Sequence, residues 1–279
     1  MFYAQKLRER IQNGHVVAGT NTLFAGASTS AIMAHAGSEF IWIDMEHGPM
    51  DYKDAYEHVL AAHAGGAAAL IRVPANDPDM LKKTLDLGAD GVIFPLVKSA
   101  EEVRMMISAC LYPPDGIRGW NPLGIAGYGT IGTDVFYRES SSSVLKFIML
   151  EHMSAYKELD QILQVQGLDG VILGPCDFSG SVNRMLDIDA PEVVQPLEDA
   201  VRKCNQAGLI AGIALGCRIG SQAYERWIKA GVRLFSVGQD MDLIYTATQG
   251  KLKELRACVG SVTIAAASER GYDHVSVLV

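Results

Sequence analysis

The sequence predicts one (β/α)8 barrel spanning residues 1–279, and three observations carry that expectation. Eight apolar runs of strand length alternate with eight amphipathic patterns of helix length. Three of the helical patterns end on a small step directly before the next apolar run, at Ala36-Gly37, Leu87-Gly88 and Ala230-Gly231, as short helix-to-strand turns require. Strict alternation eight times over favours a closed barrel over an open doubly wound sheet, which more usually holds about five or six strands.

In chain order, residues 1–12 read as a short amphipathic helix without the apolar centre of a signal peptide. A first strand follows at 16–23 and a helix at 28–36. The second apolar run, Phe40-Ile41-Trp42-Ile43, has no polar alternation, which suits a strand covered on both faces. Further strands are expected at 68–73, 91–97, 146–150, 170–173, 210–215 and 234–237. Helices are expected between them at 52–64, 77–87, 100–111, 154–164, 191–207 and 219–230, and an eighth at 241–256. An insertion at 112–143, carrying Pro113-Pro114 and the Ser140-Ser141-Ser142-Ser143 run, is longer than a compact barrel needs, and connections of that length are usually functional. The tail after residue 258 has weak patterning and is assigned no role.

At 49% hydrophobic and 20% charged, the 279 residues can bury a large core, which argues against disorder. The net charge of −8 argues against a nucleic-acid or anionic-membrane partner, since those partners call for clustered Lys and Arg. Neither a signal peptide nor an apolar run of membrane-spanning length is present, so a soluble cytoplasmic protein is expected. The five cysteines are widely spaced with no C-x-x-C pair, so free thiols are expected; only Cys176 lies inside a motif.

In such a barrel, chemistry gathers where strands end. The second strand is followed by Asp44, Glu46 and His47 at its tip; Arg72 lies within the third, Glu151 follows the fifth, and Asp177 follows the sixth behind Gly174-Pro175-Cys176. Glu151 and Asp177 come from neighbouring strand tips, and two hard oxygen ligands completed by water suit Mg2+ or Mn2+. The alternative for each is a helix N-cap. Arg72, in an otherwise apolar strand, requires a facing anion, which could be Asp44, Glu46 or a substrate carboxylate. Lys146, at a strand's start, is the one lysine that could face inward, so a Schiff-base mechanism is disfavoured. Leu215, ending the seventh strand, is expected to form one wall of the pocket at this end.

Six motifs occur in register: Ile43-Asp44-Met45-Glu46-His47-Gly48, Ile71-Arg72-Val73-Pro74 with Asp77-Pro78, Leu85-Asp86-Leu87-Gly88-Ala89, Tyr112-Pro113-Pro114-Asp115-Gly116-Ile117-Arg118-Gly119, Leu150-Glu151, and Gly174-Pro175-Cys176-Asp177-Phe178-Ser179. Together, from about residue 5 to about 257, they resemble the HpcH/HpaI aldolase family of metal-dependent class II pyruvate aldolases. The resemblance implies a (β/α)8 barrel of the phosphoenolpyruvate/pyruvate superfamily type. It implies cleavage of a 4-hydroxy-2-oxo acid to pyruvate and an aldehyde, reversibly, through a metal-stabilised enolate. Glu151 and Asp177 match the metal ligands, for Mg2+ or Mn2+ with Co2+ and Zn2+ as further candidates. Arg72 matches the group binding the oxo acid, His47 the acid/base, Asp86 its dyad partner and Asp44 the supporting network. The Gly174-Pro175-Cys176-Asp177 segment matches the substrate loop. A homo-oligomer is implied, a hexamer built as a trimer of dimers with the eighth helix exchanged between subunits. Met149 and Trp120-Asn121-Pro122-Leu123 depart from the family pattern, which bears on the acceptor aldehyde. The alternatives are related enolate chemistry (oxaloacetate decarboxylation, a citrate-synthase-like condensation or acyl-CoA lysis) and a non-catalytic binding or assembly barrel.

Overall fold

β2 (Phe40–Asp44) lies among the first strands of an eight-stranded sheet, and its period-two alternation sets the inside and outside of the molecule. Phe40 and Trp42 cluster with Ala68, Leu70, Ile93, Phe147, Met149 and Ile172 to fill the barrel interior. Ile41 and Ile43 instead join Val59, Ala62 and Ile71 beneath the helices. Asp44 continues the inward file. Arg72 continues that of Ala68 and Leu70, and Glu151 that of Phe147 and Met149.

The structure is a computed structural model describing residues 2–121, 125, 127–216 and 220–261, with side chains over residues 3–258 of those ranges. Around β2 the chain runs α1 (Phe2–Gln12), β1 (Val17–Thr22), α2 (Ser28–His35), α3 (Tyr52–Ala64), β3 (Ala68–Arg72), α4 (Pro78–Asp86), β4 (Gly91–Phe94), α5 (Ala100–Cys110) and α6 (Thr133–Ser140). It continues through β5 (Leu145–Leu150), α7 (Met153–Lys157), α8 (Leu159–Ile162), β6 (Gly170–Leu173), α9 (Pro175–Ser181) and α10 (Pro191–Gln206). β7 (Ile210–Ala214), α11 (Ser221–Ala230), β8 (Leu234–Gln239) and α12 (Asp240–Ser261) complete it. The strands follow sequence order around a closed parallel barrel, which β8 seals against β1 with Val17 opposite Leu234. The expected fold class is the one observed. Two compact units divide the chain, Met1–Asp242 and Leu243–Val279; the barrel strands all lie in the first, and the described part of the second is the rest of α12.

A repeated device closes the N-terminal end of the barrel. A carboxylate immediately before β2, β4 and β6 accepts a backbone N–H from the strand before it: Glu39 from Ala18, Asp90 from Ala69 and Asp169 from Lys146. Each also meets a basic side chain, with Arg10 2.6 Å from Glu39, His63 2.6 Å from Asp90, and Arg8 (2.8 Å) and Lys146 (3.2 Å) on Asp169. Strand starts that would otherwise leave polar groups unmet are thereby paired.

Four elements differ from the sequence expectation. The strand expected at 91–97 stops at Phe94, because Leu96 turns with φ 47°. The helix expected at 154–164 is two short helices broken at Glu158, whose carboxylate turns away to accept the Ala100 N–H (2.8 Å). The 112–143 insertion contains α6, whose Phe136 packs with Tyr112, Ile125 and Ile131. The short helix α9 starts at Pro175, ahead of the start that a cap at Asp177 would give. Residue 219 of the expected seventh helix, residues 122–123 of the departing segment and the tail beyond 261 lie outside the described residues.

Candidate active site

Register places Asp44 directly beside Arg72 at the C-terminal ends of β2 and β3. Arg72 donates to Asp44 from Nε (3.1 Å) and again from Nη2, a bidentate fork on a fully buried carboxylate. Asp44 Oδ1 also accepts the N–H groups of Glu46 (3.0 Å) and His47 (3.2 Å), so one carboxylate fixes both the guanidinium and the turn that follows. Gly48 is required for that turn, since a Cβ there would lie 2.7 Å from the Asp44 carbonyl and 2.9 Å from that of Leu23. The remaining arm, Nη1, faces Glu46 Oε2 at 2.9 Å and Glu151 at 4.0 Å. Glu46 Oε2 nonetheless has no hydrogen bond among the described residues: the ion pair is close but misaligned.

Glu151 is buried at the end of β5. Gly174 lies against it so closely that a Cβ would fall 2.5 Å from the Glu151 Cγ and 2.8 Å from Oε1, so only glycine leaves the carboxylate in place. Leu96, in its left-handed turn, donates its N–H to Glu151 Oε2 (3.0 Å). Burial pushes the Glu151 carboxyl up to about 7; the Leu96 N–H and Arg72 oppose the shift, while the charges of Asp177 and Glu46 add to it. Glu46 is also raised, by burial first, against the pull of Arg72.

The capping alternatives do not describe these carboxylates. The N-cap of α7 is His152, whose Nδ1 accepts the Ser154 N–H (3.1 Å), not Glu151. Asp177 is the third residue of α9, whose N-cap is Gly174, with no side-chain cap. Neither carboxylate serves as a helix cap.

His47 stands at the rim, 59% exposed, with Nε2 3.8 Å from Glu46. Asp86 is elsewhere. It ends α4, at the N-terminal end of the barrel, and pairs with Arg118 (2.8 Å) beside a cavity of about 440 Å³ that also involves Tyr56, His63 and Tyr128. Within one chain, Asp86 therefore does not reach His47. Pro175 and Leu215 line a second cavity, of about 530 Å³, with Asp189, Arg226 and Trp227. Cys176 is exposed. Lys146 is buried at the far end of β5, donating to the carbonyls of Ser141 (2.9 Å) and Val144 (2.8 Å), so it cannot serve as a Schiff-base lysine here.

Sequence reasoning named Glu46 as a possible partner of Arg72 and left out Trp42 and Leu96. Trp42 offers Arg72 a ring face and Leu96 offers Glu151 a backbone amide, which residue type alone does not reveal.

Asp44, Glu46 and Glu151 thus face one guanidinium, and the charge of Asp177 acts on both Glu46 and Glu151. This donor set fits a divalent cation: hard carboxylate oxygens in excess of positive charge, one orphaned oxygen on Glu46, and a glycine cradle that holds Glu151 forward. No cluster of three or more His, Cys, Asp or Glu that could hold a metal ion occurs among the described residues.

Comparison with known proteins identifies the setting of these residues. Residues 22–267 match the family model described as HpcH/HpaI aldolase/citrate lyase. A hydroxypyruvate/pyruvate aldolase of Agrobacterium fabrum is 36% identical over 217 residues, 77% of this chain and 80% of that one. A 2-dehydro-3,6-dideoxy-6-sulfogluconate aldolase of Pseudomonas putida is 32% identical over 241 residues, 85% and 92% respectively. The crystal structure of an HpcH/HpaI aldolase/citrate lyase family protein from Burkholderia cenocepacia superposes with a TM-score of 0.84 at 27% identity, covering 90% of this chain and 99% of that one.

Proposed function

The chain belongs to the HpcH/HpaI aldolase/citrate lyase family, whose named relatives are carbon–carbon lyases, and we propose that it is a divalent-metal-dependent aldolase. It cleaves a 4-hydroxy-2-oxo acid to pyruvate and an aldehyde, and runs in reverse. One observation carries this reading: Asp44, Glu46, Glu151 and Asp177 outnumber the guanidinium of Arg72 among the described residues at this end, and burial raises the Glu151 carboxyl to about 7. Glu151 and Asp177 would hold Mg2+ or Mn2+, with Co2+ or Zn2+ as substitutes. When bound, the ion supplies Lewis-acid polarisation of the oxo acid's oxygens.

The chain's own residues supply the remaining steps. Arg72, locked by Asp44, presents Nη1 to the oxo acid and offsets negative charge growing on its C2 oxygen. His47 takes the C4 hydroxyl proton on an imidazole nitrogen as the C3–C4 bond breaks. The bonding pair moves onto C3 and the C2 oxygen, and the aldehyde departs. Return of the proton to C3 completes the pyruvate methyl group. If His47 works with Asp86 as a dyad, the topology requires Asp86 from a second copy, in keeping with a homo-oligomer. We place the protein in the cytoplasm, in accord with Cys110, Cys176 and Cys204 as free thiols.

The test is aldol product formation from pyruvate and a panel of aldehydes, with metal removed by chelation and restored. Activity that vanishes and returns with the ion supports the proposal. Full activity in metal-free protein, or a borohydride-trapped pyruvate adduct, overturns it.

A further inference from the structure

We propose that Trp42 is a positioning residue for Arg72, acting as the floor on which the guanidinium rests; the inference builds on the reading that Arg72 binds the oxo acid. Trp42 is fully buried in the inward file of β2, two residues before Asp44. The guanidinium carbon of Arg72 lies 5.3 Å from the centroid of its ring, within the about 6 Å over which a cation is attracted to an aromatic face. Among the described residues Asp44 meets Arg72 through Nε and Nη2, and Glu46 and Glu151 through Nη1. Those contacts hold the guanidinium by its N–H groups, whereas Trp42 supports it with a ring face.

A second observation separates this role from filling space. The indole Nε1 is buried with no hydrogen-bond partner among the described residues. An unmet buried N–H is destabilising, so an aliphatic or phenyl side chain would fill this layer of the barrel without that penalty. Elsewhere the barrel interior is filled by such residues, including Leu70, Ile93, Phe147 and Ile172. An indole has the strongest face for a cation among the aromatic side chains, which accounts for tryptophan in this layer.

The experiment compares Trp42→Phe, which keeps a ring face, with Trp42→Leu, which does not. Each is assayed in metal-loaded enzyme well below its measured melting temperature. With Trp42→Phe, kcat/KM is expected to stay within about threefold of the parent, while Trp42→Leu loses about tenfold or more, as a shifted guanidinium would cause. Should Trp42→Leu not fold, Trp42→Met takes its place, because its flexible thioether fills irregular core volume. In an Arg72→Ala background, the same Trp42 change should add no further loss. Equal activity of the Phe and Leu (or Met) variants, or a full additional loss in the Arg72→Ala background, overturns the positioning role. Arg72→Ala alone retaining parental activity would sink the assignment of Arg72 itself, an outcome readable independently of Trp42.

Discussion

The two ends of this barrel treat charge in opposite ways. At the N-terminal end Glu39, Asp90 and Asp169 each take a strand N–H and a basic partner, so every one of those carboxylates is satisfied. At the C-terminal end Asp44, Glu46 and Glu151 share Arg72, Glu46 keeps an oxygen without a hydrogen bond among the described residues, and Glu151 is pushed to about 7 with the charge of Asp177 adding to the shift. The matched end holds strands in register. The mismatched end carries a charge deficit that folding alone does not relieve, which is where a cation and an anionic substrate are to be expected.

The largest effect should come from removing the mismatch. Glu151→Gln and Asp177→Asn should each lower turnover by about 10²-fold or more and weaken divalent-ion affinity in calorimetric titration, because the ligands of the proposed ion are lost. Melting temperature in metal-free buffer should hold or rise, since mutual repulsion is relieved. Parental turnover at limiting metal in both variants would refute the assignment.

Asp44 is the one fully matched carboxylate at the mouth, and it should behave like a residue of the opposite end as well as its own. Asp44→Asn strips the charge partner from buried Arg72, with an expected loss of about 3–5 kcal/mol in chemical denaturation together with loss of activity. Unchanged stability would show that Glu46 alone suffices to hold the guanidinium.

At the other end, Asp169→Asn should cost about 1–3 kcal/mol of stability by weakening the hold on buried Lys146 and on Arg8, while leaving kcat of the folded protein at its parental value. A fall in kcat at a temperature where the variant is fully folded would break the division between the two ends.

The smallest effect is a dependence on pH. The folded Glu151 carboxyl titrates near 7 against an ordinary value of 4.5, so metal-free folded protein binds the extra proton between those values. Its stability should therefore fall as pH rises from about 4.5 to about 7, and Glu151→Gln should flatten that slope. Divalent-ion affinity should rise across the same window, because ion and proton compete for one carboxylate. Thermal melts across pH, with and without metal, measure both.

The sequence by itself determined the barrel. Eight runs such as Phe40-Ile41-Trp42-Ile43 and the glycine steps between elements are local signals, and the closed parallel order follows from them. It also determined which strand tips carry Asp44, Arg72, Glu151 and Asp177, because residues at strand ends in a barrel converge wherever they lie in the chain. Boundaries were less legible where a long-range contact intervened: Glu158 leaves its helix to meet Ala100, and Leu96 ends β4 to reach Glu151. Only the tertiary structure decided that Glu46 faces Arg72, that Gly174 makes room for Glu151, that Asp86 sits at the far end of its own barrel, and that Trp42 lies beneath the guanidinium. The physical reason is common to all four. Each depends on the direction in which a side chain or backbone amide meets a residue about 20 or more positions away, and residue type and spacing carry no record of that direction.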